Sequence, residues 1–293
     1  MAEDRQSQMQ NQNPDSCTHE CSSCGSNCPS RGAAPGSFQV KPLPGTHIKK
    51  IIGVVSGKGG VGKSFVTGLC GCAVQKAGFQ TAILDADITG PSIPKIFGAV
   101  PSNQVTKEGY MIPAVSASGI KLMSLNLLLE DETQPVVWRG PVIAGVVKQF
   151  YQVVVWNEVD VLFVDMPPGT GDVPLTVFQS LPVDGIIIVT TPQDLVSMIV
   201  EKAVRMADEM KIPILGVMEN MSYMKCPHCG ELLYPFGQSH IESYTAKNGV
   251  ALLGRLPMNP EWARCCDEGR IEEIETGELK SLMGILKGQL NEV

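Results

Sequence analysis

Residues 53–66 read GVVSGKGGVGKSFV. Within this stretch Gly57, Gly62, Lys63 and Ser64 match the pattern G-x-x-x-x-G-K-[S/T], which here follows an apolar run and precedes a stretch of helical character. Glycines allow backbone N–H groups to face phosphate oxygens, and the start of a helix favours a bound anion. The stretch therefore predicts a phosphate-binding loop between a strand and a helix.

The phosphate-loop motif predicts the roles of its own residues. We expect Lys63 to reach the β- and γ-phosphates of a nucleotide and the hydroxyl of Ser64 to bind Mg²⁺. We expect nucleotide to contact the loop along its whole length, which comprises Gly57, Lys58, Gly59, Gly60, Val61, Gly62, Lys63 and Ser64. The motif requires only one lysine, so the second, Lys58, needs a separate explanation.

Apolar runs and helical stretches alternate along the chain after residue 50. Strands are predicted at 51–55, 81–84, 161–164, 185–190 and 213–218, with a further strand near 251–253. Helices are predicted at 63–77, 140–153, 173–180, 194–210, 239–248 and 279–290, and short extra strands within 100–138. Strands that are apolar throughout and separated by helices indicate a parallel sheet covered on both faces. The predicted fold class is α/β, a doubly wound, mainly parallel sheet of the P-loop NTPase kind.

The first 47 residues differ in composition from the rest. They are rich in Gln, Asn, Ser, Pro and Gly, which predicts a flexible tail at 1–47 and a single ATPase domain at 48–293. The net charge of −7 argues against a nucleic-acid partner. No apolar run approaches the ~20 residues that span a bilayer, and no secretory signal is visible. We therefore expect a cytoplasmic protein with no membrane partner.

Aspartates follow two of the predicted strands. Asp165 ends an apolar run and occupies the position of a Walker B carboxylate, on the magnesium side of a nucleotide. Asp85 and Asp87 follow the strand at 81–84, and one of them could orient the attacking water. The alternative for Asp87 is that it caps the following turn.

Several motifs accompany the loop. Its early lysine makes KGGVGKS resemble the loop of the deviant Walker A ATPases, which include MinD, ParA and the nitrogenase iron protein. Four further motifs are LDADITGPSIP (84–94), VVWRGP (136–141), VDMPPGTGD (164–172) and VMENMSYMKCPHCG (217–230). Together they resemble the Mrp/ApbC branch of iron–sulfur cluster carriers, over about residues 40–290.

This resemblance implies roles for individual residues. It implies that Lys58 reaches across a nucleotide-sandwich homodimer to the phosphates of the partner subunit, as an arginine finger does in trans. It also implies that Asp87 activates water and that Asn220 reads adenine. The chain would then be a slow ATP hydrolase that uses ATP and Mg²⁺, with Lys58, Lys63, Asp87 and Asp165 as its catalytic residues.

Cysteines predict a second site. Cys226 and Cys229, in the sequence CPHC, can place two thiolates on one metal, whereas a tetrahedral site or a cluster needs four ligands. A twofold homodimer supplies the same two residues twice. The resemblance implies a [4Fe–4S] cluster bridging the subunits, and zinc remains open as the alternative.

The tail holds four more cysteines in a short polar stretch. Their spacing resembles a ferredoxin-like ligand run and predicts a cluster or zinc, bound by Cys17, Cys21, Cys24 and Cys28. By contrast, Cys70 and Cys72 lie on the helix after the phosphate loop, and we expect them to be small buried residues.

The sequence thus favours an ATP-dependent iron–sulfur cluster carrier. It would act as a homodimer and serve apo iron–sulfur proteins and cluster-assembly scaffolds. Two other classes remain open: a positioning ATPase of the MinD/ParA type without a cluster, and a reductase resembling the nitrogenase iron protein.

Overall fold

The computed structural model describes residues 39–88, 90, 92–100, 104–129, 140–169, 171–193 and 196–291. Gln39–Val293 form one compact unit, and the description below concerns this unit. The backbone N–H of Val40 donates to the carbonyl of Ser180 at 2.8 Å, and its side chain packs against the core. The folded part therefore includes residues on the N-terminal side of the boundary expected at residue 47.

A nine-stranded sheet forms the centre of the described part. Its strands are β1 His47–Ser56, β2 Thr81–Asp85, β3 Ala114–Val115, β4 Lys121–Met123, β5 Glu158–Asp165, β6 Gly185–Thr190, β7 Ile214–Lys225, β8 Leu232–Leu233 and β9 Leu252–Pro257. Their order is β3-β4-β2-β5-β1-β6-β7, and both β8 and β9 pair with β7. The pairs β3–β4 and β7–β8 are antiparallel and the others are parallel. The mainly parallel sheet is confirmed.

Helices connect most of these strands. They are α1 Lys63–Lys76, α2 Ile93–Ile96, α3 Gly140–Val153, α4 Asp172–Ser180, α5 Val196–Met210, α6 Ile241–Asn248, α7 Pro260–Asp267 and α8 Lys280–Asn291. All six predicted helices are present, and α2 and α7 are additional. Within the described residues, no helix is both long enough and apolar enough to span a bilayer.

The core lies on both faces of the sheet. Ile83 and Leu84 are adjacent on β2, yet the first belongs to one buried cluster and the second to the other. Successive side chains of a strand point to opposite faces, so an uninterrupted apolar strand packs against helices on both sides. Helices α1 and α8 contribute to the cluster that contains Ile83, and α3, α4 and α5 to the cluster that contains Leu84. This arrangement confirms the doubly wound fold.

The phosphate loop lies at the carboxyl end of a central strand of the sheet. The loop follows β1, which lies between β5 and β6, and ligands of such folds bind at the carboxyl ends of the parallel strands. Strand β7 extends far beyond its predicted end, since it continues past residue 218 to Lys225. Its extension pairs with β9 and β8. Asn220 therefore lies within β7 and not beyond its end, as the strand predicted at 213–218 would place it.

Candidate nucleotide site and cysteine hairpin

The phosphate loop turns into α1 through glycines with left-handed backbones. Gly60 and Gly62 have φ values of 78° and 77°, and α1 begins directly afterwards at Lys63. A Cβ atom on Gly62 would lie 2.3 Å from Nδ2 of Asn220. Position 62 therefore requires glycine for two reasons, its backbone conformation and the close approach of β7.

Three side chains at the start of α1 converge on the carboxylate of Asp165. The Nζ atom of Lys63 is 2.8 Å from Oδ1. The Ser64 hydroxyl donates to Oδ2 at 2.5 Å, and the Thr67 hydroxyl donates to Oδ1 at 2.7 Å. Asp165 is fully buried, so these contacts compensate its charge. The sequence predictions include Lys63, Ser64 and Asp165 but not Thr67, which lies one helical turn after Lys63.

The two aspartates at the end of β2 have different surroundings, because the strand ends at Asp85 and Asp87 lies beyond it. Asp85 is buried and accepts hydrogen bonds from the backbone N–H of Asp87 and the hydroxyl of Ser124, both at 3.1 Å. Burial, with a contribution from Asp165, raises the pKa of Asp85 to about 8. Asp87 instead faces the phosphate loop, with Oδ2 3.6 Å from Nζ of Lys63.

The early lysine of the loop contacts a residue of the same chain. The Nζ atom of Lys58 donates a hydrogen bond to Oε1 of Gln193, which follows β6. The backbone carbonyl of Lys58 accepts a hydrogen bond from the Ser56 hydroxyl at 3.0 Å. Gln193 is not among the predicted site residues, and no motif of the sequence singles it out.

Asn220 joins β7 to the phosphate loop. Its side-chain N–H group donates to the backbone carbonyl of Val61 at 2.9 Å, and the residue is buried. A cavity of about 460 Å³ adjoins it, with walls that include Phe65, Met221, Pro257, Met258 and Trp262. Apolar walls with a few polar groups suit a flat ring system. The sequence predictions omit these wall residues, because they come from three separate segments.

The oxygen atoms beside Lys63 fit the chemistry of magnesium. Mg²⁺ prefers oxygen donors and is held through one or two carboxylates together with substrate phosphates. The hydroxyl of Ser64 and the carboxylate of Asp165 supply such donors next to the loop. These two residues are therefore the candidates for a Mg²⁺ site.

The predicted cysteine ligands lie on residues 223–238, which we call the cysteine hairpin. The backbone N–H of Cys226 donates to the carbonyl of Glu231 at 2.8 Å, and the N–H of Gly230 donates to the carbonyl of Cys226 at 2.9 Å. The turn thus places Cys226 and Cys229 on an accessible surface, with Cys229 the more exposed.

Backbone amides favour the ionised form of one of these thiols. The N–H groups of Cys229 and His228 lower the pKa of the Cys226 thiol, and the thiolate is the form that binds metals. In the residues that the structure describes, no group of three or more His, Cys, Asp and Glu side chains is placed to hold a metal ion. The predicted tail ligands Cys17, Cys21, Cys24 and Cys28 lie outside the described residues.

Fold and loop together define a class of protein. A central parallel strand leads through a glycine-rich loop into a helix, and a carboxylate at the end of β5 meets the loop lysine, which is the arrangement of a P-loop NTPase. The family model ParA, described as NUBPL iron-transfer P-loop NTPase, matches residues 47–287. The chain belongs to this family.

Comparisons with individual proteins agree with this assignment. A Clostridium perfringens protein named iron-sulfur cluster carrier protein is 43% identical over 266 residues, covering 86% of this chain and 93% of that protein. The solved structure of an Archaeoglobus fulgidus nucleotide-binding protein in complex with ADP is 42% identical, with a TM-score of 0.69, over 78% of this chain and 89% of that one. A MinC:MinD complex from Aquifex aeolicus matches at 18% identity and a TM-score of 0.57, over 83% and 96% of the two chains, and shows the fold alone.

Proposed function

We propose that the chain is an ATP-dependent iron–sulfur cluster carrier that acts as a homodimer. The observation that carries the proposal is that β7 contributes to both candidate sites: Asn220 contacts the phosphate loop, and Cys226 follows the last residue of the strand. The relatives named iron-sulfur cluster carrier protein support the same function. ATP hydrolysis would supply the free energy, and the cluster would be the group that is transferred.

ATP would bind with its phosphates on the loop and its base in the adjoining cavity. The backbone N–H groups of residues 57–64 and the start of α1 supply donors and a favourable dipole for the phosphates. Lys63 would move from Asp165 to the β- and γ-phosphates, because phosphate oxygens offer a charge-assisted hydrogen bond in exchange. Mg²⁺, held by Ser64 and Asp165, would neutralise charge on the phosphate oxygens. Asn220 would then contact the edge of the base.

Hydrolysis would transfer the γ-phosphoryl group to water. Asp87 lies beside Lys63 and would orient the attacking water, as a water-positioning side chain does in phosphoryl transfer. The bond between the γ-phosphorus and the bridging oxygen breaks, and ADP and inorganic phosphate are released. Lys58 would leave Gln193 and reach the phosphates bound by the partner subunit, so that its charge arrives only when the dimer closes. Hydrolysis would therefore depend on dimer closure.

The cluster would sit between the two cysteine hairpins. Cys226 and Cys229 supply two thiolates, and a second copy of the chain would supply two more, which completes the four ligands of a [4Fe–4S] cluster. Transfer to an apoprotein would exchange these thiolates for thiolates of the recipient, with no change in the oxidation state of the cluster. The tail cysteines Cys17, Cys21, Cys24 and Cys28 would hold a further cluster or metal.

Anaerobic reconstitution with iron and sulfide tests this function. The full chain, a variant lacking residues 1–38 and Cys226→Ala are compared by iron and sulfide content per dimer and by Mössbauer spectroscopy. We expect the truncated dimer to hold one four-iron cluster that Cys226→Ala abolishes, with any additional iron belonging to the tail. Tight zinc uptake with no cluster would contradict the carrier function and favour a positioning ATPase. Iron that remains with Cys226→Ala in the truncated chain would place the cluster elsewhere.

A further inference from the structure

The strand β7 connects the nucleotide site with the cysteine hairpin. Asn220 contacts the phosphate loop through its hydrogen bond to Val61, and the strand ends at Lys225, one residue before Cys226. Only five residues therefore separate a side chain at the phosphate loop from the first candidate metal ligand. A displacement of Asn220 can therefore be transmitted along this short segment to Cys226.

The strand is irregular within this segment. Met221 has a φ of 55°, a left-handed conformation that a residue with a side chain rarely adopts. The pairing with β9 shifts at the same place: Glu219 lies opposite Arg255, whereas Tyr223, four residues further on, lies opposite Pro257, only two residues further on. The extra residues form a bulge, and bulges redirect the strand that follows them. The surrounding structure must hold this conformation in place.

Glu219 holds both ends of the cysteine hairpin. Its carboxylate, which is 1% exposed, accepts hydrogen bonds from the hydroxyl of Ser222 and from the hydroxyl of Ser239. Ser222 immediately precedes the hairpin and Ser239 immediately follows it. One buried carboxylate therefore contacts the two residues that flank the hairpin on either side.

Arg255 completes the network from β9. Its Nε atom lies 3.3 Å from Oε2 of Glu219 and donates to the hydroxyl of Ser222 at 2.8 Å. A second nitrogen of the guanidinium contacts Glu242 on α6 at 3.3 Å. The buried charge of Glu219 is thus paired, and the base of the hairpin is joined to the sheet and to α6.

We propose that Glu219 is a positioning residue that makes the cysteine hairpin move with Asn220. Glu219 and Asn220 are adjacent in β7. A nucleotide that shifts the phosphate loop and Asn220 would therefore also shift the Glu219 carboxylate, which accepts hydrogen bonds from the residues on both sides of the hairpin. This inference rests on the proposed function, and it adds that the network, through Ser222 and Ser239, makes cluster retention depend on nucleotide. A hairpin released from Glu219 still presents both thiols but responds less to the nucleotide site.

The test compares cluster loss with and without nucleotide. The reconstituted full chain is mixed with an iron chelator, and the rate of cluster loss is followed by visible absorbance with no nucleotide and with a non-hydrolysable ATP analogue. The ratio of the two rates measures the coupling. The variants are Glu219→Gln, Ser239→Ala and Ser239→Thr, with Ser243→Ala, at an exposed position on α6, as the matched control.

We expect Ser239→Ala and Glu219→Gln to bring the ratio close to one while the cluster content and the affinity for the analogue stay within about twofold of wild type. Ser239→Thr, which keeps the hydroxyl, should restore the ratio, and Ser243→Ala should leave it unchanged. A merely structural role would lower the cluster content and leave the ratio intact. The partly exposed Ser239 keeps the test informative if Glu219→Gln does not fold.

Two outcomes would overturn the inference and leave the proposed function standing. One is a wild-type cluster whose loss rate ignores nucleotide, and the other is a ratio that Ser239→Ala and Glu219→Gln leave unchanged. A wild-type chain that holds no cluster at all would instead overturn the proposed function. Cluster content and the coupling ratio therefore separate the two failures.

Discussion

The Nζ atom of Lys63 lies 2.8 Å from Oδ1 of Asp165, and both side chains are buried, at 6% and 0% exposure. Such a pair is stable only while each charge has its partner, since an isolated buried charge is costly. In the function that we propose, a triphosphate that attracts Lys63 would free the carboxylate, and Mg²⁺ would compensate the charge that is left. This exchange gives a physical reason for nucleotide and metal to bind together.

The two lysines of the phosphate loop should have separable effects. Lys63→Ala removes a charge-assisted contact to the bound nucleotide, worth about 1.5–3 kcal/mol, so we expect ATP affinity to fall ~10-fold to 150-fold. Lys58→Ala should leave the affinity of one subunit within about twofold and slow hydrolysis by at least about tenfold, because a cation supplied in trans acts on the transition state. Equilibrium binding of a non-hydrolysable analogue and single-turnover hydrolysis measure the two effects.

Lys49→Ala is the matched control for both lysines. Lys49 is an exposed residue of β1 that pairs with Asp160 at the opposite end of the strand from the loop. We expect neither affinity nor hydrolysis to change in this variant. Equal losses of affinity in Lys58→Ala and Lys63→Ala would contradict the assignment of Lys58 to the partner's nucleotide.

Gly62→Ala should destabilise the fold in the absence of nucleotide. The added Cβ would meet Nδ2 of Asn220 at 2.3 Å, and φ at this position is 77°. Residues held in such conformations cost of order 1–3 kcal/mol each. We therefore expect the free energy of unfolding, measured in urea, to fall by about that amount.

Gly59→Ala provides the comparison within the same loop. A Cβ atom at Gly59 meets nothing within 4 Å. We expect its effect on the free energy of unfolding to stay within about 0.5 kcal/mol, as for most surface substitutions. Similar losses in the two variants would mean that the loop tolerates neither side chain, and that the contact with Asn220 does not decide the stability.

Much of the fold is predictable from the sequence because its strands are uninterrupted apolar runs. The runs at 81–84 and 161–164 differ by a few residues from β2 and β5, and the helix predicted at 63–77 is α1 within one residue. Cys70 and Cys72 are buried, as the sequence predicts. These features depend on local pattern and on motif spacing, both of which a single sequence carries.

The parts that the sequence does not predict depend on contacts between distant segments. The length of β7 follows from its pairing with β9 and β8, and the extension beyond residue 218 lacks the apolar character of the strands around it. Thr67 and Gln193 enter the candidate site only through the positions of Asp165 and Lys58. In the sequence alone, neither this threonine nor this glutamine can be told apart from an ordinary polar residue outside the site.

The protonation of Asp85 should make stability depend on pH. The unfolded chain loses this proton near the ordinary value of 3.8, whereas the folded chain keeps it until about pH 8. Between these values the folded state binds more protons, so raising the pH lowers the free energy of unfolding. Asp85→Asn has no carboxyl group to titrate at this position. We therefore expect its free energy of unfolding, relative to that of wild type, to increase as the pH rises through this window.

Urea unfolding of the nucleotide-free protein at about pH 5 and about pH 8 measures this change. The exposed Asp208, replaced by asparagine, is the control and should show the pH dependence of wild type. A stability difference between Asp85→Asn and wild type that is independent of pH, or that moves in favour of wild type at high pH, would contradict the raised pKa.

Cys226 should be alkylated faster than Cys70 on α1 and Cys266 on α7. Backbone N–H groups lower the pKa of Cys226, whereas burial raises the pKa of Cys266 to about 11 and that of Cys70 further still. Iodoacetamide reacts with the thiolate, so at neutral pH we expect at least a ~10-fold faster reaction at Cys226, measured by peptide mass spectrometry. The gap should narrow at high pH, because Cys266 gains thiolate after Cys226 is fully ionised.

Reconstitution with iron and sulfide before alkylation turns this difference in rate into a test of ligation. A thiolate bound to a cluster is not free to attack iodoacetamide, so Cys226 should be protected by at least about tenfold. Cys266 provides an internal reference, because it lies on α7 and outside the cysteine hairpin. Protection of both residues would indicate a change in folding rather than ligation. Protection of neither would mean that Cys226 does not hold the cluster, whatever iron the protein retains.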